Sequence, residues 1–249
     1  LTSDARDTDT SDMGSDDRSN SASVSLGSPT LVLVPTAIEL EHLRALGGFD
    51  SGSCIVRTCG FGPIAAAAVA AHALCELRPA RVLLVGIAGT YDAARLAIGE
   101  AAEFDEVLID GIGAGEGPRR LGARELGFPQ WPATKSDDAI FDRISLSPRS
   151  RAGSRAESKL LVSVCAISDA PEMAARRRDL FANASAEDME GFGLALACRI
   201  AHVPLCIVRG ISNAAGDRDT ARWSVRAALA SARELALAIL RDENNGEAR

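Results

Sequence analysis

The 249-residue chain has no Cys-x-x-Cys pair, no Cys/His spacing suited to a metal ion, no run of eighteen apolar residues and no internal repeat. Its six cysteines (Cys54, Cys59, Cys75, Cys165, Cys198 and Cys206) lie mostly within apolar runs. Neither a disulfide framework nor a zinc site is therefore expected. The stretch AAAAVAAHAL is interrupted by His72, which argues against a membrane span. The first residues carry neither the basic segment nor the apolar core of a secretory signal. Positive charge is in deficit: 27 Lys and Arg stand against 34 Asp and Glu, a net −7. With a pI of about 5.1, no whole-chain field draws in nucleic acid or an anionic membrane. His42, His72 and His202 are scattered without a nucleophile beside them, which removes support for Ser-His-Asp or Cys-His catalysis. A cytoplasmic protein with reduced thiols, no metal and no cofactor is the expectation.

What is present is an apolar middle between two polar ends. Residues 1–28 are rich in Ser, Asp and Thr, offer almost nothing to bury, and are expected to be disordered. Residues 242–249 are similarly polar and are likewise expected to be a disordered tail. Residues 29–241 alternate strand-like and helix-like runs. TLVLVPT, SCIVRTCG, RVLLVGIAG, EAAEFDEVLID, KLLVSVCAIS and PLCIVRGIS read as strands. Helices are predicted from about Ala37 to Leu46, from Pro63 to about Leu77, and over PEMAARRRDLF, DMEGFGLALACRIAH and TARWSVRAALASARELALAIL. Residues 111–158 are rich in Gly, Pro and Arg and read as loops with short elements. The alternation predicts one α/β domain with a mostly parallel or mixed central sheet.

Several stretches carry chemistry. In CGFGPIAAAA, Gly60 and Gly62 fall between a strand and a helix, but the third glycine and the lysine of a phosphate-binding loop are missing. A tight turn that lets the alanine helix pack close is the simpler explanation. In VGIAGTYD, small residues at a strand's carboxyl end permit a ligand to approach the backbone. In AEDMEGFGLALA, Glu187 and Asp188 suit the first turn of a helix. Glu190 sits among Met189, Phe192 and Leu194, where a half-buried carboxylate needs hydrogen-bond donors. In TAIELEH, Glu39 shares its side of the helix with Leu43 and Leu46, while Glu41 points nearer to solvent. The strand VRGIS ends in Asn213 and a polar loop holding Asp217, Arg218 and Asp219.

Taken in order, TCGFGPIAAAA, LLVGIAGTYD, EDMEG and VRGISN resemble the nucleoside phosphorylase/nucleosidase superfamily over roughly residues 30–240. Within it, GISN…GDRD…W, VGIAG and ELGFPQW make the chain most similar to the futalosine hydrolases of an alternative route to menaquinone. The resemblance implies a single-domain three-layer α/β/α sandwich with a mixed central sheet over 29–241, and a homo-oligomer, dimer or larger. It implies hydrolysis of futalosine to dehypoxanthine futalosine and hypoxanthine, with a small-molecule purine nucleoside as the only partner besides its own copies. Glu39 is then the carboxylate that deprotonates water, with Glu41 as fallback. Glu190 holds the ribose hydroxyls and Met189 packs under the ribose. The backbone at Ala88 and Gly89 lines sugar and base, and the strip from Ser163 to Ser168 flanks the base.

Asn213 stands where adenine-releasing nucleosidases have Asp. Its amide offers one acceptor and an NH₂ donor, which suits the N7–H and O6 of a 6-oxopurine and mismatches adenine. Asn cannot deliver a proton, so water or Asp217 supplies it; Asp217 and Asp219 equally suit pairing with Arg218 or Arg209 to shape the loop. No arginine in LLV or PTAIE offers a phosphate clamp, which favours hydrolysis over phosphorolysis. A methylthioadenosine/adenosylhomocysteine nucleosidase, a purine nucleoside phosphorylase and a non-catalytic nucleoside-binding module remain the alternatives.

Overall fold

The structure, a computed structural model, describes residues 28–49, 54–115, 119–135, 137–146 and 158–246. The expectation of disorder for residues 1–28 lies outside the described residues except for Ser28, whereas residues 242–246, expected to be part of a disordered tail, continue the last helix, and 247–249 lie outside the described residues.

The first strand, β1 (Thr30–Val34), is buried at every position, as a continuous apolar run in mid-sheet should be. Helix α1 (Ala37–Ala45) leads to β2 (Cys54–Thr58). Helix α2 (Pro63–Leu77) starts on proline, whose fixed φ suits the first turn, and stops at Arg78 in the left-handed region. Strand β3 (Arg81–Thr90) is long enough to serve both halves of the sheet, and β4 (Ala101–Glu103) and β5 (Glu106–Asp110) follow. The Gly- and Arg-rich section supplies the small elements β6 (Gly113–Ala114), β7 (Leu121–Gly122), α3 (Ala123–Leu126) and β8 (Arg143–Ser145). Then come β9 (Leu160–Val164), α4 (Pro171–Leu180), β10 (Ala184–Asp188), α5 (Gly191–Ile200), β11 (Leu205–Ala214) and α6 (Val225–Gly246).

The main sheet runs β2-β1-β3-β10-β9-β5-β8, with β11 alongside β3 and β4. It is mixed: β1 pairs parallel with β2 and β3, and β11 pairs parallel with β3 but antiparallel with β4, while β10 meets β3 antiparallel. Because β3 pairs with β1 through Arg81–Leu84 but with β10 only at Gly89 and Thr90, the sheet forks at the carboxyl end of β3. Backbone ends and loops gather at such a fork, which is where α/β sheets bind ligands. Helices α2 and α5 cover one face with Ala66, Ala70, Phe192 and Leu194. Helices α1 and α6 cover the other with Leu43, Leu229, Ala232 and Ile239. The result is the three-layer arrangement expected from the resemblance. Small residues set the spacing of the first layer: a β-carbon on Gly193 would collide with the Pro63 carbonyl oxygen. Gly60, at φ +85°, likewise makes the tight turn that brings Ala65 against it.

One element differs from the sequence expectation. Glu187 and Asp188 lie in strand β10 rather than in a helix's first turn, and α5 begins only at Gly191 with Glu190 as its cap residue. The reason lies in their partners, described next. Among the described residues, no helix is long and apolar enough to cross a membrane, and no cluster of His, Cys, Asp or Glu could hold a metal ion.

Candidate active site

The site begins where β1 stops. Pro35 ends the strand and Thr36 caps α1: the Glu39 amide donates to Thr36 Oγ1 at 3.2 Å. In return, Glu39 Oε2 accepts from the Thr36 amide at 3.1 Å and from its hydroxyl at 2.7 Å. This capping box folds the Glu39 side chain back towards the sheet instead of into solvent. Its other oxygen accepts from the Ile87 amide of β3 at 3.0 Å, and the residue is only 6% exposed. Glu41, two residues on, is exposed.

Facing Glu39 across Gly86 is Arg209 of β11, completely buried. Its Nε and Nη2 donate to Asp188 Oδ2, and Nη2 also donates to Glu190 Oε2 at 3.2 Å. Nη1 has no protein partner. A β-carbon on Gly86 would strike Arg209 Nη1 and stand 2.8 Å from Glu39 Oε1 and 2.9 Å from Pro35 Cδ. Gly86 is thus required by close approach, and the Arg209 and Glu39 side chains converge over it. Burial works against the charge on Arg209, but Asp188, Glu190 and Glu39 hold the guanidinium protonated.

Asp188 and Glu190 owe their positions to backbone donors. Asp188 Oδ2 accepts from the Gly191 amide at 2.9 Å and Oδ1 from Ser163 Oγ at 2.6 Å. Ser163 Oγ also accepts from the Phe192 amide at 2.8 Å, so this serine ties β9 to the start of α5. Glu190 Oε1 accepts from the Gly62 amide at 3.0 Å, the donor that a phosphate-cradling turn would otherwise offer. Burial pushes the Glu190 carboxyl up to about 7, with the charges of Asp188 and Glu39 adding to it and Arg209 and the Gly62 amide opposing.

Asn213 stands at the end of β11, 8% exposed. Its Oδ1 accepts from Ser212 Oγ at 2.7 Å and its Nδ2 donates to the Ala214 carbonyl at 2.8 Å. Ser212 Oγ also reaches the Ala88 carbonyl at 3.3 Å. One lone pair and one N–H of the amide are left for a ligand. Gly89 lies beside it: Asn213 Nδ2 is 3.4 Å from where a Gly89 β-carbon would be. Met189, half-buried, packs against a separate apolar cluster of Leu108, Leu160, Val162, Val164 and Phe181. Ser168 gives both its amide and its hydroxyl to Glu187, at 2.8 and 2.7 Å.

Asp217 sits apart from these carboxylates. It accepts from the Asp219 amide at 3.0 Å and from Arg222 at 2.7 Å, and Trp223 Nε1 donates to its carbonyl. The Asp219 amide and Arg222 hold its carboxyl below the ordinary value, so it is an ionised turn residue rather than an acid. Its partner is Arg222 rather than Arg218 or Arg209; Arg218 stacks over Trp223. A cleft of about 160 Å³ at the amino ends of β3 and β11 has no carboxylate in its lining and is not the candidate site.

The sequence profile of the phosphorylase superfamily matches residues 39–242. The chain belongs to the phosphorylase superfamily. It is 30% identical over 228 residues to a futalosine hydrolase of Thermus thermophilus, covering 86% of this chain and 96% of that protein. It is 30% identical over 161 residues to a 5'-methylthioadenosine/S-adenosylhomocysteine nucleosidase of Glaesserella parasuis, 65% of this chain and 67% of that one. In fold it resembles the futalosine hydrolase of Helicobacter pylori, with TM-score 0.65, 18% identity, and 86% and 98% of the two chains covered. A methylthioadenosine/adenosylhomocysteine nucleosidase of Colwellia psychrerythraea in complex with adenine gives TM-score 0.66 at 18% identity, with 85% and 93% covered.

For this superfamily member, the structure brings Glu39 and Glu190 to one guanidinium and sets Asn213 at the end of the strand that carries it. Arg209, which the sequence suggests only as a loop partner for Asp217 or Asp219, is instead the buried cation between Asp188 and Glu190. A detectable signal existed: an arginine inside the apolar strand CIVRGIS must be buried, and a buried guanidinium requires carboxylates. EDMEG supplies them.

Proposed function

We propose that the protein hydrolyses the N-ribosidic bond of futalosine, releasing hypoxanthine. The observation that carries the hydrolytic half is the convergence of Glu39 Oε1 and the unpartnered Arg209 Nη1 over Gly86. A buried N–H without an acceptor is costly, and a water molecule held between it and a carboxylate would satisfy both. Glu39 takes a proton from that water as oxygen attacks C1′ and the bond from C1′ to the purine nitrogen breaks. Glu190 accepts from the ribose hydroxyls, and those bonds strengthen as the sugar gains positive charge. Solvent delivers the proton to the leaving base, because Asn213 has none to give and Asp217 is held ionised.

Three carboxylates around one guanidinium make a poor home for a phosphate dianion, which supports hydrolysis over phosphorolysis. The base-reading half rests on Asn213. Its free lone pair accepts from N7–H and its free N–H donates to O6, whereas the amino group of adenine would face another N–H donor. The similarity to the Thermus thermophilus futalosine hydrolase, over 86% of this chain and 96% of that one, supports the same choice. Assembly into a homo-oligomer belongs to this proposal, since Ile38, Phe61 and Ile64 expose apolar surface on the segments that bear Glu39 and Gly62.

The test is chromatography of products from futalosine, methylthioadenosine and inosine, with and without phosphate. Hypoxanthine from futalosine at a rate indifferent to phosphate is the expected result. Adenine alone would make Asn213 the wrong guide to the base, and ribose 1-phosphate would make the enzyme a phosphorylase.

A further inference from the structure

Helix α4 offers the sheet almost no apolar face: of its ten residues only Ala174 and Arg177 are buried. What fastens it is the middle of three consecutive arginines. Arg176 and Arg178 are exposed, whereas Arg177 turns inward. Its Nε donates to Asp110 Oδ2 at 3.0 Å and its Nη2 to the Ala166 carbonyl at 3.0 Å. Its Nη1 donates to Ser168 Oγ at 3.0 Å and to Glu187 Oε2 at 3.3 Å. One planar guanidinium thus ties the helix to β5, to β10 and to the irregular strip between β9 and α4.

That strip, residues 165–170, has no helix or strand ladder to hold it. Its fixed points are Ala166 and Ser168, the first held by Arg177 and the second by Arg177 and Glu187 together. The end of the strip meets the turn that follows Asn213. A β-carbon on Gly216, at φ +90°, would stand 2.5 Å from the Ala170 carbonyl carbon and 2.6 Å from the Pro171 nitrogen. Ala215 of the same turn donates its amide to the Thr90 carbonyl at 2.7 Å. The Asn213 turn therefore has the head of α4 directly behind it, and Arg177 holds that head in place.

We infer that Arg177 is a positioning residue for the leaving base, acting through the strip and the head of α4 on the pocket that Asn213 closes. This rests on the base-releasing function proposed above, in which the strip flanks the purine. Losing Arg177 leaves the sheet's carboxylates with partners: Asp110 keeps Arg120 at 2.9 Å, and Glu187 keeps Ser168 and Tyr91. What is lost is the hold on the strip and on α4.

The experiment measures the inhibition constant of hypoxanthine, with kcat alongside, for wild type and Arg177→Met. The variant should bind hypoxanthine at least about tenfold more weakly, the change that one lost hydrogen bond to a charged group corresponds to. A residue that merely stabilises the fold would lower the active fraction, and so kcat, while the surviving enzyme kept the wild-type constant. A constant within about twofold of wild type in Arg177→Met overturns the role. A second measurement needs no variant. Coupling between two sites is reciprocal, so a bound base must steady the helix that holds its wall. Saturating hypoxanthine should slow wild-type amide exchange at residues 176–180 at least about tenfold and leave residues 74–77, at the far end of α2, unchanged. Amides of α4 that exchange equally with and without hypoxanthine overturn the proposal. Failure of wild type to bind hypoxanthine, or to release it from futalosine, would instead overturn the function on which it rests.

Discussion

Replacing Glu190 with Gln should stabilise the protein while disabling it, and the gain should grow as pH rises from 4.5 through about 7. Burial, with the nearby charges of Asp188 and Glu39 adding to it, moves the Glu190 carboxyl from 4.5 to about 7. Ionising it in the folded state therefore costs up to about 3 kcal/mol relative to the unfolded chain, less whatever its neighbours recover by relaxing. Between those two values the folded protein holds a proton that the unfolded chain has lost. Stability contributed at this position accordingly falls as pH rises from 4.5 through about 7. Gln has no such proton, so its curve lacks that slope. At about 2–4 °C per kcal/mol for a chain of this size, the melting temperature of Glu190→Gln should exceed wild type by several degrees at pH of about 8, and the difference should shrink towards zero near pH of about 4.5. Activity should move the other way. Two charge-assisted hydrogen bonds to ribose hydroxyls, each about 1.5–3 kcal/mol, amount to about a 10²- to 10⁴-fold loss in kcat/KM. Thermal melts across that pH range, with kcat/KM alongside, measure both. A melting difference that is negative at the alkaline end, or the same at every pH, would refute the burial argument.

Glu39→Gln should lower kcat by at least about 10²-fold while hypoxanthine still binds by calorimetry, since the Gln can keep much of the capping box with Thr36; full activity would move the water-activating role elsewhere. Arg209→Met should destabilise by about 3–5 kcal/mol in denaturant unfolding, because Asp188 and Glu190 lose the charge that justifies their burial; a variant as stable as wild type would mean the carboxylates find other partners. Gly193→Ala should cost at least about 1–3 kcal/mol, because the added methyl meets the Pro63 carbonyl oxygen and must push α2 away from α5; an unchanged unfolding midpoint would contradict that packing.

Much of the fold was legible because hydrophobic period and punctuation agree. Pro63 marks the first residue of α2, and the all-apolar runs mark β1 and β3. Strand β10 was not legible, because ASAED carries two adjacent acids that favour a helix's first turn. Only tertiary partners make a strand of it: Glu187 is held by Ser168, Tyr91 and Arg177 on one face, and Asp188 by Ser163 and Arg209 on the other. Periodicity detects apolar faces and is blind to a strand that buries charge on both sides. The Glu39 geometry could have been read more fully, since Thr36-x-x-Glu39 is a capping-box pattern and explains how a first-turn glutamate is turned inward. The Asp217 loop shows the reverse error. Its charges stand out in the sequence, yet Asp217 and Asp219 are satisfied locally by Arg222.

The most direct measurement offers the enzyme equimolar futalosine and methylthioadenosine in one tube and follows both bases by chromatography, first with wild type and then with Asn213→Asp. Hypoxanthine should dominate with wild type, and the ratio should move towards adenine in the variant. Adenine dominating with wild type, or a ratio that does not respond to the substitution, would contradict the claim that the amide at the end of β11 chooses which purine leaves.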